Sequence, residues 1–152
     1  MSEIREPALV EPLEKFLGYQ LRRVSAASMA HLANAMSAQS LSPAAGTVLL
    51  MIEANPGETQ ARIGRALAIQ RANIAPLIAR LENDGLIDRT VSDGRSYGLA
   101  CTPKGAAVAK TIRRIMANHE ADLFGALSAG EQEQLLDLLI KARRAFATQG
   151  ES

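Results

Sequence analysis

Two short stretches of this sequence carry side chains suited to contacts with nucleic acid. Arg71, Ala72 and Asn73 begin a segment that is predicted to be helical. Arginine can pair with guanine and asparagine with adenine, while alanine permits close approach or contact with a thymine methyl group. Asp93 and Arg95 stand further along, in the stretch VSDGRSYGLAC, where a hairpin is predicted. These residue types are therefore candidates for reading base edges and for sensing phosphate charge.

The tip of the predicted hairpin carries a permanently charged side chain in a turn. Asp93-Gly94 suits a tight two-residue turn, because both residue types tolerate positive φ angles. An arginine carried on such a hairpin can enter the minor groove, where negative potential is concentrated. Asp93 could hold the guanidinium of Arg95 through a charge-assisted hydrogen bond. The alternative is a solvated turn with a surface ion pair that contributes little.

Hydrophobic periodicity and capping signals predict the elements that position these side chains. Ser42-Pro43 and Thr102-Pro103 each combine a helix cap with a proline suited to the first helical position. Gly85 stands where a glycine ends a helix, and the SAGE segment at 128–131 is a capping box. In chain order, the pattern predicts helices over about 12–37, 42–52, 59–67 and from 71, strands over 86–91 and 96–101, and helices from 103 and 128.

This order predicts a mainly α protein with a small β-hairpin wing. Two short helices joined by a tight connection and followed by a hairpin form a winged helix-turn-helix, expected at 42–101 as the DNA-binding lobe of a single domain, 1–152. The long helices at 12–37 and 103–147 carry apolar stripes too extensive for one small chain to cover. They are therefore predicted to be dimerisation helices.

Composition narrows the classes of function further. The chain has 152 residues, 47% hydrophobic and 22% charged, as expected of a globular domain with a core. The absence of a long apolar run, of a signal-peptide pattern and of more than one cysteine predicts a cytoplasmic protein without a membrane partner. The net charge is only +1, so any basic surface must be local. We find no nucleophile–base pair, metal-ligand spacing or phosphate loop, so we expect no enzymatic activity, metal or cofactor.

Residues from about 12 to 147 resemble the multiple antibiotic resistance regulator (MarR) family of bacterial transcription factors. The resemblance rests on TQARIGRAL, on RANIAPLIARLENDGLIDR, and on the wing DGRS followed by L-x-C-T-P-K-G, which is similar to the family's D-x-R…LT-x-x-G signature. It implies a homodimer that binds palindromic DNA and releases it when a small molecule binds. The chain departs from the family pattern at Gln70, where an acid often caps the recognition helix. Pro76 also falls within that helix, which predicts a bend or an irregular first turn.

A third group of residues is predicted to contact a small-molecule effector. Arg22 and Arg23 lie midway along the first helix, where they could bind a carboxylate or phosphate or remain surface charges. His31 and His119 fall on apolar stripes, and are either partnered histidines of the core or dimer seam, or polar groups in an effector pocket. The resemblance to the family makes aromatic acids and their coenzyme A thioesters plausible ligands.

Two further residues have alternative interpretations. Arg80, later in the recognition helix, is a candidate DNA-binding residue that would meet either phosphate or an internal acid. Cys101 is interpreted as a small, half-buried apolar residue, with a redox switch as the alternative. The leading hypothesis is a dimeric, ligand-responsive repressor. The alternatives are a regulator that senses redox state through Cys101 and a winged-helix interaction module without DNA binding.

Overall fold

The computed structural model describes residues 11–92 and 96–149. Within them the chain is mainly helical, with one three-stranded antiparallel sheet of order β1-β3-β2, which confirms the predicted fold class. The helices are α1 (Leu17–Met36), α2 (Pro43–Ala54), α3 (Gln60–Ala66), α4 (Arg71–Asn83), α5 (Pro103–Phe124) and α6 (Ala129–Gln149), and a 3-10 turn (Ser37–Gln39) follows α1. The strands are β1 (Glu58–Thr59), β2 (Ile87–Ser92) and β3 (Ser96–Cys101).

Side-chain caps fix the starts of several helices where the sequence predicts them. Ser42, Thr59 and Thr102 each accept a hydrogen bond from the backbone N–H three residues later, at 3.2, 3.3 and 3.0 Å. Each bond satisfies one of the donors that a helix start leaves unpaired. Gly85 follows α4 with a φ of +67°, a left-handed conformation that glycine adopts without strain. The SAGE capping box also forms at the start of α6.

The start of the first helix, the number of strands and the length of the hairpin turn differ from the prediction. The first helix begins at Leu17 rather than Pro12, because residues 12–15 form turns. The sheet has a third strand, β1, which is only two residues long and therefore leaves no alternating pattern in the sequence. Ser92 pairs with Ser96, so three residues rather than two connect β2 to β3. Those three, 93–95, lie outside the described residues.

The helix that carries the predicted base-reading residues is continuous. α4 runs from Arg71 to Asn83 with Pro76 inside it. Its first turn is closed by a backbone hydrogen bond from Ile74 to Gln70, 3.1 Å between nitrogen and oxygen. The predicted irregular first turn is therefore not seen. The bend at Pro76, which stands on the exposed side of the helix, stays a prediction. As expected, Gln70 makes no side-chain cap.

One apolar core joins the winged helix-turn-helix to the long helices. Ile74, Ile78 and Leu81 of α4 are buried in it, and Leu77 is half-buried. These side chains fix the rotation of α4, so that its other face remains on the surface. The core's other large members are Leu32, Met36, Leu41, Val48, Leu49, Ile52, Ile63, Leu86, Ile87, Leu99 and Ile112.

The start of α5 is fastened directly to the turn between α4 and β2. The backbone N–H of Thr102 donates to the Leu86 carbonyl at 3.0 Å, and its hydroxyl donates to the Gly85 carbonyl at 2.8 Å. A Cβ at Gly105 would lie 1.8 Å from the Leu86 oxygen, so no larger residue fits there without backbone movement. The wing and α5 therefore meet without an intervening linker.

The outer helices leave much apolar surface uncovered. The stripe predicted for α1 does not enter the core: Leu17 is 88% exposed, and Leu32 and Met36 are the buried residues of that helix. None of the described side chains of α6 is buried, and Phe146 is 73% exposed. The stripe predicted for α5 does pack inward, through Ile112 and others. The exposed apolar faces are thus confined to α1 and α6 among the long helices.

No single helix among the described residues is long and apolar enough to cross a membrane. Residues 17–39 and α2 satisfy the length and composition criteria only when taken together, and they are bent by 72° relative to one another. Much of α2 is buried in the core of the chain, through Ala45, Val48, Leu49 and Ile52. Its apolar composition is thereby explained by core packing.

Candidate nucleic-acid interface and ligand groove

The first turn of α4 presents three neighbouring side chains to solvent. Arg71, Ala72 and Asn73 are all exposed, because Ile74 and Ile78 turn the opposite face of the helix into the core. We call these three residues the reading turn. A guanidinium, a methyl group and an amide at one helix end can together contact several base edges in a major groove.

A surface cleft lies beside the reading turn. It has a volume of about 470 Å³ and is formed by β1, α3, the start of α4 and Tyr97 of β3. Arg65 and Arg71 line it together with Tyr97, whose side chain is 62% exposed. None of its described lining residues is an acid, so the cleft can accept a phosphate group. Tyr97 was not singled out from the sequence, where its signal is a single aromatic residue in a wing strand.

The wing is anchored to α4 at its base. Arg89 of β2 donates two hydrogen bonds to the carboxylate of Glu82, at 2.6 and 2.9 Å. These bonds raise the pKa of the Arg89 guanidinium. Asp93 and Arg95, at the tip of the wing, lie outside the described residues, so their contact with DNA stays a prediction.

Arg80 lies beside groups of its own chain. Its Nη2 donates to the backbone carbonyl of Ser40 at 2.5 Å, and its Nε lies 3.7 Å from a carboxylate oxygen of Asp84. The side chain joins the end of α4 to the connection between α1 and α2. A contact between Arg80 and DNA would therefore have to compete with two internal partners.

The two histidines of the chain lie against each other. Their Nδ1 atoms are 2.8 Å apart, the ring centroids are separated by 5.0 Å, and the ring planes are inclined to each other by 27°. His119 is only 4% exposed, and its Nε2 lies 3.0 Å from the Ser28 hydroxyl. The Nε2 of His31 lies 3.8 Å from a carboxylate oxygen of Asp122. We call His31 and His119 the histidine pair; it links α1 to α5.

A groove opens beside the histidine pair. Its volume is about 410 Å³, within the range of small-molecule sites. Its walls combine apolar and polar side chains, namely His31, Asn34, Ala35, Ile115, Asn118, His119 and Asp122. We call it the histidine groove. Two histidines and two amides can orient a polar group of a ligand whose apolar part rests on the helices.

The structure does not bring all four predicted effector residues together. Arg22 and Arg23 lie over the ring of Tyr19, with their guanidinium carbons 5.3 and 5.7 Å from its centroid. Arg23 also pairs with Glu11 at 2.8 Å. Arg22 is nine residues from His31, which is roughly 13 Å along the helix and on its opposite face. The two arginines and the histidine pair are therefore separate candidates.

Cys101 is half-buried at the end of β3. Its thiol points towards the Leu49 carbonyl, 3.9 Å from sulfur to oxygen. Burial raises the pKa of the thiol, so the reactive thiolate is depleted at neutral pH. This environment favours the apolar interpretation of Cys101 over the redox switch.

At neutral pH, we expect iodoacetamide to alkylate Cys101 at least about tenfold more slowly than it alkylates the thiol of glutathione. The reason is that the Cys101 thiol is both protonated and partly covered. The rate should approach that of glutathione when the protein is unfolded in urea. Mass spectrometry of the quenched reaction measures both rates. Alkylation as fast as that of glutathione in the folded protein would instead support the redox alternative.

No group of three or more histidine, cysteine, aspartate or glutamate residues that could hold a metal ion occurs in the part of the chain that the structure describes. The histidine pair by itself supplies too few ligands for a structural zinc site. The contacts that these sites offer are hydrogen bonds and charge pairs, which suit the binding of a polar or charged partner.

The chain is similar in sequence to known transcriptional regulators. A family model described as MarR family matches residues 39–96. A curated relative from Thauera aromatica, named as a candidate transcriptional regulatory protein for the hcr operon, is 30% identical over 131 residues, which are 84% of this chain and 79% of that protein. Its name describes it as a transcriptional regulator.

Several solved structures share the fold of this chain over most of its length. The transcriptional repressor CouR is 31% identical in its complex with p-coumaroyl-CoA (TM-score 0.81, 91% of this chain and 99% of that one). CouR bound to a 23-mer DNA duplex gives a TM-score of 0.83, with 90% and 99% covered at the same identity. The MarR family protein Rv2887 of Mycobacterium tuberculosis, in complex with salicylic acid, is 27% identical (TM-score 0.68, 83% and 95% covered).

Proposed function

This chain belongs to the MarR family of winged helix-turn-helix transcriptional regulators, and from that premise we propose that it is a homodimeric repressor that a small molecule releases from palindromic operator DNA. The residues proposed to bind DNA are Arg71, Ala72, Asn73, Arg80, Asp93 and Arg95, within the lobe at 42–101. The segments proposed for dimerisation, 12–37 and 103–147, contain α1, α5 and most of α6. We propose that the repressor acts on DNA in the cytoplasm.

The observation that carries the proposal is the exposed reading turn beside an acid-free cleft. A helix end that presents Arg71 and Asn73 to solvent has the geometry of a major-groove reader. In a two-fold symmetric dimer, two such ends would read half-sites about one duplex turn apart, roughly 10 base pairs from centre to centre. Because the chain's net charge is only +1, specific contacts rather than bulk charge must supply much of the affinity.

The exposed apolar faces of α1 and α6 support the proposed dimer. Leu17, Leu21 and Val24 of α1, and Leu138 and Phe146 of α6, are exposed apolar side chains. A chain of this size rarely leaves two such helical faces in contact with water. A second copy presents the same faces and can cover them around a two-fold axis.

The histidine groove is the proposed effector site. CouR has been solved with p-coumaroyl-CoA and Rv2887 with salicylic acid, and both ligands join an aromatic ring to an anionic group. The groove offers apolar walls for a ring and the histidine pair for a polar end. We therefore propose an aromatic acid or its coenzyme A thioester as the effector, with Arg22 and Arg23 as candidate contacts for an anionic group outside the groove.

Two alternatives remain distinct from this proposal. A winged-helix interaction module would keep the fold without binding DNA. A redox-sensing regulator would release DNA when Cys101 is oxidised, although the half-buried thiol points towards a backbone carbonyl. Each alternative predicts a different result in the following experiment.

Fluorescence anisotropy with the DNA upstream of the protein's own gene tests the proposal. We expect tight, sequence-specific binding that weakens as salt rises, and release by p-coumaroyl-CoA or salicylate. A duplex of the same composition in scrambled order is the control. Equal binding to both duplexes, or none, would favour the interaction module. Release by peroxide in the wild type but not in Cys101→Ser would favour the redox sensor.

A further inference from the structure

The contact between the two histidine rings can hold only one hydrogen. The Nδ1 atoms are 2.8 Å apart, so one ring donates an N–H and the other accepts it. If both nitrogens carried hydrogen, two donors would face each other and the contact would break. The histidine pair therefore accommodates no charge or one positive charge, and does not accommodate two.

An added proton can be taken up only at one of the two Nε2 atoms, which are the outer nitrogens of the pair. In the neutral pair, one of the two Nε2 atoms carries hydrogen; in the singly charged pair, both do. Ser28 fits either state of His119, because a hydroxyl can donate to a bare Nε2 or accept from a protonated one across 3.0 Å. Asp122 faces the Nε2 of His31 at 3.8 Å. The contact with Ser28 thus survives the gain of a proton.

The groups around the pair determine where an anion can approach its charged form. Among the described residues that line the groove, Asp122 is the one charged partner, and Asn34 and Asn118 are neutral. Ser28 on α1 is the remaining polar neighbour in contact with the pair. The Asp122 side chain is mostly exposed, so it can turn towards solvent and leave the edge of His31 to an incoming carboxylate. The apolar wall is supplied by Ala35 and Ile115.

We propose that the histidine pair binds the carboxylate of a small apolar acid and takes up one proton from solvent as it does so. The inference rests on the proposed effector response and adds a specific chemistry to it. A carboxylate beside His31 favours the charged form of the pair, and the added hydrogen occupies the Nε2 that was bare. The ligand is therefore bound as an ion pair that forms only when a proton is available.

Calorimetric titration with salicylate between pH 6 and 8, at constant ionic strength, tests this inference. The salicylate carboxylate stays ionised throughout, and the chain has no imidazole other than those of the pair. We expect the affinity to fall with rising pH, by up to about tenfold per pH unit. Repeating the titration in two buffers with different ionisation enthalpies should show a net uptake of protons, approaching one per ligand.

Three variants separate the pair from its surroundings. His31→Gln removes the imidazole that faces the ligand, and should bind salicylate more weakly and with little pH dependence. His119→Gln should also bind salicylate more weakly, but it keeps that imidazole and should retain a pH dependence. His31 is half-exposed, so its variant provides the test if loss of the buried His119 disturbs folding. Asp122→Asn removes the competing carboxylate, and should bind salicylate more tightly than the wild type while keeping the pH dependence.

The possible outcomes are distinguishable. Salicylate binding with constant affinity and no proton uptake would overturn the proton-coupled site but leave the effector response intact. The wild-type pH dependence in His31→Gln would overturn it as well. If neither salicylate nor p-coumaroyl-CoA bound the wild type at any pH, the effector part of the proposed function would fall together with the inference, and operator binding would stand on its own measurement.

Discussion

Replacing Leu139 and Phe146 together by glutamate is expected to turn the proposed dimer into monomers and to weaken operator binding by at least about 100-fold, the advantage that two linked binding modules have over one. Both side chains are exposed apolar groups on α6. They are seven residues apart, and therefore share one face of the helix. A dimer seam would have to bury four unpaired carboxylates, each at a cost of several kcal/mol.

Light scattering measures the result directly. The wild type should show twice the chain mass of 16.2 kDa and the variant a single chain mass. Lys141→Glu is a matched control, because it changes the charge of the same helix by −2, as the two glutamates do. Lys141 is exposed on a different face of α6, and its variant should remain dimeric. A double variant that stayed dimeric and bound the operator like the wild type would rule out this face as the seam.

Asn73→Ala is expected to lower operator affinity by about 1–3 kcal/mol per half-site, mainly at one base position. The amide of Asn73 is exposed on the reading turn, and alanine removes its hydrogen bonds without disturbing the buried face of α4. The dependence of affinity on salt should change little, because no phosphate contact is lost. Anisotropy against a panel of single-base operator variants identifies the position at which discrimination disappears.

Arg95→Ala is expected to give the opposite result in the same anisotropy assay, because it should change the salt dependence of binding rather than the discrimination between bases. If Arg95 enters the minor groove, its loss should weaken good and poor operators alike. The slope of log affinity against log salt should become shallower by at most about two, one for each arginine of the dimer. Asp93→Ala should act in the same direction but less strongly. Unchanged affinity and slope in Arg95→Ala would leave the arginine as a solvated turn residue.

The signals that predicted the fold correctly are local in sequence. Ser42, Thr59 and Thr102 lie within three residues of the donors that they cap, so a short motif contains both partners. The buried face of α4 follows from its own period of 3.6 residues. The order of these elements predicted the winged helix-turn-helix, and the resemblance to the MarR family added the expected homodimer, palindromic DNA and small-molecule effector.

The features that were missed depend on distant partners or on the assembly. Arg80 reaches a backbone carbonyl 40 positions away, and a backbone group leaves no trace in the residue types. His31 and His119 were each assigned to an apolar stripe, but their contact joins positions 88 residues apart. The stripe of α1 was predicted to be too extensive for one chain to cover, and within one chain it is exposed. Sequence periodicity indicates that a face is apolar without saying what covers it.

The absence of a linker between the wing and α5 has a mechanical consequence. Gly105 is pressed against Leu86, and His119 stands fourteen residues further along the same helix, roughly 21 Å away. Over that length, a small tilt of a rigid helix at one end produces a displacement of the other end. A tilt of about 5° at the histidine end would move the wing end by roughly 2 Å, which is the scale on which switching helices shift. Because Gly105 is in close contact with the backbone of Leu86, little of this displacement would be absorbed between α5 and the wing.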